Sequence, residues 1–476
     1  MSSFRELGSV YFFAKIHKKE DSILQNTKEN KMGTMPVNKL IITMSLPIMI
    51  SMLIQALYNI VDSMYVAQVS EDALTAVSLA FPYQNLMIAV GTGTGVGVNA
   101  LLSRSLGEKN FKLANRTANN SLFLALIISV FFAVLGIVFA RPFIAMQTKS
   151  KEILEQGAVY LMIVSTVSFG VFGQIASERL LQSTGKTIYS MITQGLGAII
   201  NIILDPIMIF GWGPFPRMET AGAALATVVA QIIAAIIGIV LNLTVNKELK
   251  LSFKGMIPDP KIIKKIYSVG VPSILMASIG SVMTFCLNKI LIEFTKTAVA
   301  VFGAYFKLQS FIFMPVFGLN NGVVPIIAYN LGASKPDRMK KTIKLALIYA
   351  VSFMVVGFIA FQTIPGMLLK IFSASAEMIE IGVPALRTIS LSFLFAGFCI
   401  VAISVFQATG KGMYSLWISI ARQLVVLIPV AFFLSFTGNL NLIWLAFPIA
   451  ELVSVAMAMF YLKRVYRKII NKLPQE

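Results

Sequence analysis

The sequence predicts an all-α integral membrane protein, with twelve transmembrane helices in two six-helix lobes related by an internal repeat. Three observations carry this expectation. Of the 476 residues, 57% are hydrophobic and only 13% charged, against about 25% charged in soluble proteins, and the mean hydropathy is +0.80. The apolar residues form long continuous runs rather than the alternating pattern of a membrane barrel. Several short signatures also recur 225 residues apart. Twelve spans of about 20 to 22 residues take roughly 250 residues, which leaves short loops and no room for an added soluble domain.

Residues 1–35 are polar and non-periodic, and they hold the single histidine, His17, in the run His17-Lys18-Lys19-Glu20-Asp21. They read as a disordered cytoplasmic tail, with a membrane-surface arm as the alternative. The apolar stretch Val10–Ala14 is too short for the core of a cleavable signal. The first lobe, 36–245, holds spans at roughly 40–66, 78–103, 118–140, 158–180, 188–211 and 221–245. A cytoplasmic linker, 246–262, contains Pro258-Asp259-Pro260 and ends the first lobe. The second lobe, 263–462, holds spans at roughly 263–293, 300–328, 342–366, 384–406, 414–436 and 441–462, followed by a cytoplasmic tail, 463–476. Pro47 and Pro272 fall inside spans, where each removes a backbone hydrogen bond and permits a bend. Gly91, Gly93, Gly95 and Gly97 match neither a dinucleotide fingerprint nor a phosphate loop, and read as a surface for close helix packing. Cys286 and Cys399 both lie in apolar runs, so no disulfide framework supports the fold.

The net charge of +19 raises the question of nucleic acid, and its distribution answers it. With the N-terminus placed in the cytoplasm, the cytoplasmic segments and the adjoining span ends hold 30 of the 40 Lys and Arg residues and the outer loops hold 6. That is the positive-inside pattern of a multi-pass protein of the cell membrane with both termini cytoplasmic. The expected partners are membrane lipids and not nucleic acid, and nothing in the chain calls for more than a monomer.

The repeat brings Leu46-Pro47 onto Val271-Pro272, Leu106-Gly107 onto Leu331-Gly332, and Gln182-Ser183-Thr184-Gly185-Lys186 onto Gln407-Ala408-Thr409-Gly410-Lys411. Near the end the shift falls to 220, where Ala226 meets Ala446. Six spans per half give the halves the same orientation, and two such bundles enclose a central cavity.

Enzymatic constellations are missing. One histidine outside the spans builds neither a His-dependent triad nor a buried metal site, and without a phosphate loop any transport draws on an ion gradient rather than ATP. The chemistry lies in polar groups within the spans. Asp62 is on the first span, with Tyr58 one turn earlier and Gln55 on nearly the same face. Asp205 is on the fifth, with Asn201 one turn earlier and Gln194 further back, and Thr227 is on the sixth. Asp62, Asp205 and Thr227 each fall about five or six residues from the outer end of their span, a common level roughly 8–9 Å below the interface. Two carboxylates with amide, hydroxyl and phenol oxygens suit a proton or Na+. At the repeat positions of Asp62, Asn201, Asp205 and Thr227 stand Leu287, Val426, Val430 and Phe447. The polar set therefore belongs to the first half alone, which favours coupling chemistry over fold stability. Lys307 and Glu451, deep in the second half, join Gln55 and Gln194 as candidates for the substrate cavity. Lys289 and Glu293 read as a helix-end pair, and Glu178-Arg179 as an anchor at the end of the fourth span.

The strings Tyr58-Asn59-Ile60-Val61-Asp62, Leu106-Gly107, Asn201-Ile202-Ile203-Leu204-Asp205-Pro206, Gly222-Ala223-Ala224 and the Gln-x-Thr-Gly-Lys pair at 182 and 407 resemble the multidrug and toxic compound extrusion (MATE) family. The similarity runs from Met35 to Lys468, and Asn201–Pro206 is its most specific element. It implies two six-helix lobes, cytoplasmic termini, and export of small amphipathic, often cationic drugs against H+ or Na+. No cofactor is implied beyond Na+ as a coupling ion at Asp62 and Asp205. Cation coupling falls to Tyr58, Asp62, Asn201, Asp205 and Thr227. The rival readings are a lipid or polysaccharide flippase of the same wider superfamily, a membrane-embedded enzyme and a channel.

Overall fold

An apolar chain in hydrocarbon satisfies its backbone only by closing every hydrogen bond within a helix or a barrel. The computed structural model describes residues 29–252, 255–372 and 374–474, and those residues are helical almost throughout, with no strand among them. In the first half the helices are α1 (Lys31–Thr34), α2 (Val37–Ala67), α3 (Glu71–Gly107), α4 (Phe111–Ala145), α5 (Lys151–Thr166), α6 (Phe169–Ser183), α7 (Thr187–Phe210) and α8 (Glu219–Thr244). In the second they are α9 (Pro260–Ile292), α10 (Lys296–Gly332), α11 (Pro336–Thr363), α12 (Pro365–Lys370), α13 (Ala376–Ser390), α14 (Phe393–Ala408) and α15 (Gly412–Ile420). A π-helical segment, Ala421–Leu427, joins α15 to α16 (Ile428–Ser435), and α17 (Leu440–Ile443) and α18 (Ala446–Lys468) close the bundle. Among the described residues ten helices are long and apolar enough to cross a membrane, and two bent pairs bring the number to twelve.

The halves repeat in detail. Helix α3 maps onto α10 residue for residue at the 225 shift, and α7 maps onto the whole of 412–435. The caps repeat as well. Ser70 caps α3 and Thr295 caps α10, while Ser150 caps α5 and Ser375 caps α13, each side-chain oxygen accepting from a backbone N–H of the first turn. The Thr-Gly-Lys turns end α6 and α14 in the same way. Gly185 and Gly410 adopt φ of 84° and 72°, a left-handed conformation that other residues enter at a cost. The next amide then folds back, from Lys186 to the Leu181 carbonyl (2.8 Å) and from Lys411 to the Phe406 carbonyl (2.7 Å).

Two spans differ from expectation. The fourth and tenth are not single helices but pairs, α5–α6 bent by 45° and α13–α14 bent by 48°. Neither break lies at a proline, whereas Pro47 and Pro272 are carried inside unbroken helices. Serines hold the breaks instead: the Ser168 hydroxyl donates to the Ser129 carbonyl (3.1 Å) and the Ser392 hydroxyl to the Ile389 carbonyl (2.7 Å). These bonds draw the side chain onto backbone carbonyls where the helix opens.

The tail boundary at residue 35 also needs correction. The His17 run and the rest of 1–28 lie outside the described residues, but residues 29–35 are docked between the halves. Asn30 caps α1 and donates from its amide to Glu248 of the linker (2.8 Å) and to the Thr184 carbonyl (3.0 Å) in the first half. Met32 is fully buried, and its carbonyl accepts from Asn330 (3.0 Å) and Arg338 (3.1 Å) in the second. Lys335 pairs with Glu29 at 2.7 Å. The polar residues that suggested disorder are thus used up as partners. Burial pushes the Glu248 carboxyl above its ordinary range, while Lys186, Asn30 and Lys31 draw it back. Burial likewise pushes Lys31 and Lys186 down, so this contact holds charges that water does not fully solvate.

The halves meet through glycines, two of which lie on the side where residues 29–35 dock. A Cβ on Gly107 would overlap the Tyr329 carbonyl, one on Gly332 the Arg104 carbonyl, and one on Gly97 the Ile266 carbonyl. Only bare backbone admits such crossings, and in a membrane, where apolar burial between helices adds little, close packing of small residues holds helices together. On the outside, Ile127, Phe131, Val134 and Val138 of α4 form an exposed apolar stripe. Such a stripe suits lipid, and on a soluble protein of this kind would be a liability.

Candidate functional site

Three helices of the first half bring the polar set together. On α7, Asn201 and Asp205 are one turn apart and share a buried face. The Asn201 amide donates to Asp205 Oδ1 (3.1 Å) and approaches Thr227 Oγ1 of α8 (3.5 Å). Pro206 follows Asp205, and because it has no N–H the Ile202 carbonyl loses its helical donor just behind the acid. Thr227 meets the site through this approach to Asn201. From α2 come Tyr58 and Asp62, the latter within electrostatic reach of Asp205.

Asp205 is fully buried, and its Oδ2 has no hydrogen-bond partner. Asp62 Oδ1 and Asn201 Oδ1 are also buried without a partner. Buried acceptors are nearly always satisfied, because leaving one bare costs about 1–3 kcal/mol. Three bare oxygens in one cluster can accept from a group that brings positive charge or a proton. The donor set is all oxygen, as a hard cation such as Na+ requires. Among the described residues no group of three or more His, Cys, Asp or Glu side chains has the form of a metal site.

A small pocket adjoins the cluster, lined among others by Tyr58, Gln174, Gln194, Asn201, Thr227 and Gln231. Gln194, a candidate for the substrate cavity, lines this pocket. Gln55 is half-buried on α2 and is not among the lining residues. Lys307 and Glu451 do not join this pocket. Lys307 is exposed, with its ammonium 5.8 Å from the centre of the Phe372 ring. Glu451 is buried on α18 beside Arg422. Lys289 lies over the Phe285 ring (5.8 Å) and, among the described residues, forms no ion pair with Glu293.

Sequence reasoning missed part of the site. Glu178 is no loop anchor. Gln174 donates from its amide to both Glu178 (2.9 Å) and Gln194 (3.0 Å), so Glu178 belongs to a chain of side chains ending in the pocket and lies within electrostatic reach of Tyr58. Tyr160, held by the Gln84 amide (3.3 Å), stands within reach of Asp62. The four-residue spacing of Gln174 and Glu178 was a signal, but a straight fourth span puts both near its end.

A family model described as MatE matches this chain twice, at residues 47–207 and 272–433. The chain belongs to the MATE family. The two matches begin 225 residues apart, the repeat interval itself. This MATE protein is 32% identical over 423 residues to the multidrug export protein MepA of Staphylococcus haemolyticus, covering 87% of this chain and 91% of the relative. It is 27% identical over 427 residues to an FAD transporter of Shewanella oneidensis, covering 90% and 94%. Among solved structures it is similar to a multidrug resistance MATE family transporter of the MOP superfamily in an outward-facing conformation, with a TM-score of 0.85, 24% identity and coverage of 94% and 99%. A MOP superfamily transporter from Pyrococcus furiosus gives a TM-score of 0.86 at 24% identity with the same coverage. The protein is a multi-pass membrane protein of a family of transporters, and these relatives do not favour the flippase alternative.

Proposed function

We propose that this MATE protein exports small amphipathic, often cationic drugs by alternating access, driven by inward movement of H+ or Na+ through Asp62 and Asp205. The cluster of buried, unpartnered oxygens on Asp62, Asn201 and Asp205 carries the reading. Two acids in electrostatic reach share protons and cations as a pair, so exposure to either side of the membrane shifts their occupancy. The drug-export name of the Staphylococcus haemolyticus relative supports the substrate class. Ethidium efflux from proteoliposomes under separately imposed gradients tests this. One of the two gradients, H+ or Na+, drives efflux, and efflux indifferent to both would overturn the coupling.

Both termini lie in the cytoplasm in this reading, on the strength of the 30-to-6 basic asymmetry. A cysteine introduced at Glu71 or Gly438 is then labelled from outside intact cells, and a tag on the C-terminal tail is not. External access to that tail would reverse the orientation.

A further inference from the structure

The second half carries a charged cluster at the repeat positions of the first-half pocket. Gln174 and Gly197 line that pocket and map at the 225 shift onto Cys399 and Arg422, and Gln231, which also lines it, maps at the 220 shift onto Glu451. In the structure these three come together. Arg422 lies on the π-helical segment 421–427, an irregularity that recurs at functional sites, and reaches Glu451 of α18 through one nitrogen at 3.4 Å. The Cys399 thiol of α14 and the Tyr305 phenol of α10 stand within electrostatic reach of the same carboxylate. Where the first half has glycine and glutamine, the second has a cation and an anion.

The pair is only partly used. A single 3.4 Å contact is long for a charge-assisted bond and is not the two-pronged arrangement that arginine and carboxylate favour. Glu451 Oε1 is buried with no partner. The guanidinium has five N–H donors, of which one nitrogen is engaged, and 27% of the Arg422 side chain remains uncovered. One side of the pair thus offers free donors and the other a free acceptor. Retaining such a pair in place of apolar residues is costly unless a further partner completes it.

We propose that Arg422 and Glu451 form a second substrate site that takes zwitterionic amphipathic molecules, Arg422 receiving a carboxylate and Glu451 an ammonium or other N–H cation. The first-half cluster, acid without base, is suited to simple cations, whereas the second-half pair matches a ligand that carries both charges and no net charge. The site needs no ion gradient in order to bind, so it stands or falls apart from the coupling assigned to Asp62 and Asp205.

Two dyes that differ by one methyl ester separate these chemistries: rhodamine 110, a zwitterion with N–H groups, and rhodamine 123, its cationic ester. Binding is read by fluorescence anisotropy with the purified full chain in nanodiscs, without any gradient. Arg422→Met weakens rhodamine 110 about 10- to 100-fold, the worth of a charge-assisted hydrogen bond, and leaves rhodamine 123 within about twofold. Glu451→Gln weakens both dyes. Because Arg422→Met strands a buried acid, the Arg422→Met/Glu451→Met double variant serves as the check on folding. A folded double variant that has lost the preference for the zwitterion supports the site. A double variant that binds both dyes like wild type shows that the pair is only structural. Equal weakening of both dyes by Arg422→Met would overturn the zwitterion assignment.

Discussion

Asp205→Asn abolishes coupled drug efflux while the protein still inserts, folds and binds a hydrophobic substrate. Asn preserves the size of the side chain, and its amide oxygen still accepts from Asn201, whose bond to Asp205 spans 3.1 Å. What it removes is the charge that a cation balances. Asp205 Oδ2 is buried and bare, and the other bare oxygens of the cluster belong to Asp62 and Asn201. Only the two acids alter the net charge of the site when an ion or proton arrives. With Asp205 neutralised, Asp62 alone is left to take up charge, and the paired site that exchanges a cation as the cavity alters its exposure is broken. If Asp205 only joined helices, the amide would replace it at a cost of about 1–2 kcal/mol and efflux would stay near normal. Efflux rates in vesicles at matched protein levels decide between the two, and wild-type rates in the Asn variant would refute the assignment.

Gly107→Ala costs far more stability than Gly303→Ala, although the substitution is the same and both glycines lie in the crossing pair α3 and α10. A Cβ at Gly107 would overlap the Tyr329 carbonyl and crowd the Ala333 amide, both backbone atoms that no rotamer change can clear. At Gly303 nothing lies within 4 Å. Overpacking costs typically 1–3 kcal/mol, and a backbone-to-backbone clash belongs at the upper end, about 3 kcal/mol. At the exposed helical position the change is neutral or stabilising, because alanine is the better helix former by about 1 kcal/mol. Thermal unfolding of the two purified variants in one detergent reads the difference. Equal melting temperatures would show that the halves do not cross here as described.

Much of the architecture is legible from composition and periodicity, because hydrocarbon leaves so few backbone solutions. The twelve runs, the repeat and the pairing of Asn201 with Asp205 follow from sequence spacing. What was not legible depends on contacts between distant segments. The breaks at Ser168 and Ser392 have no proline to announce them, and without the first of these Glu178 appears stranded at a helix end. Arg422 and Glu451 are 29 residues apart on different spans, so nothing local links them. Residues 29–35 look like tail because their polarity is typical of disorder, yet their partners, Thr184, Glu248, Asn330 and Lys335, are spread over both halves.

In the proposed function the cation that drives export resides on Asp62 and Asp205. The most direct test is the cation flux that a drug provokes. Proteoliposomes with a pH-sensitive or Na+-sensitive dye in the lumen receive ethidium, and cation movement is followed in wild type and in Asp62→Asn/Asp205→Asn at matched protein levels. The account predicts a drug-triggered flux of one of the two ions, opposite in direction to the drug, in wild type and none in the double variant. A flux of wild-type size in the double variant would contradict it.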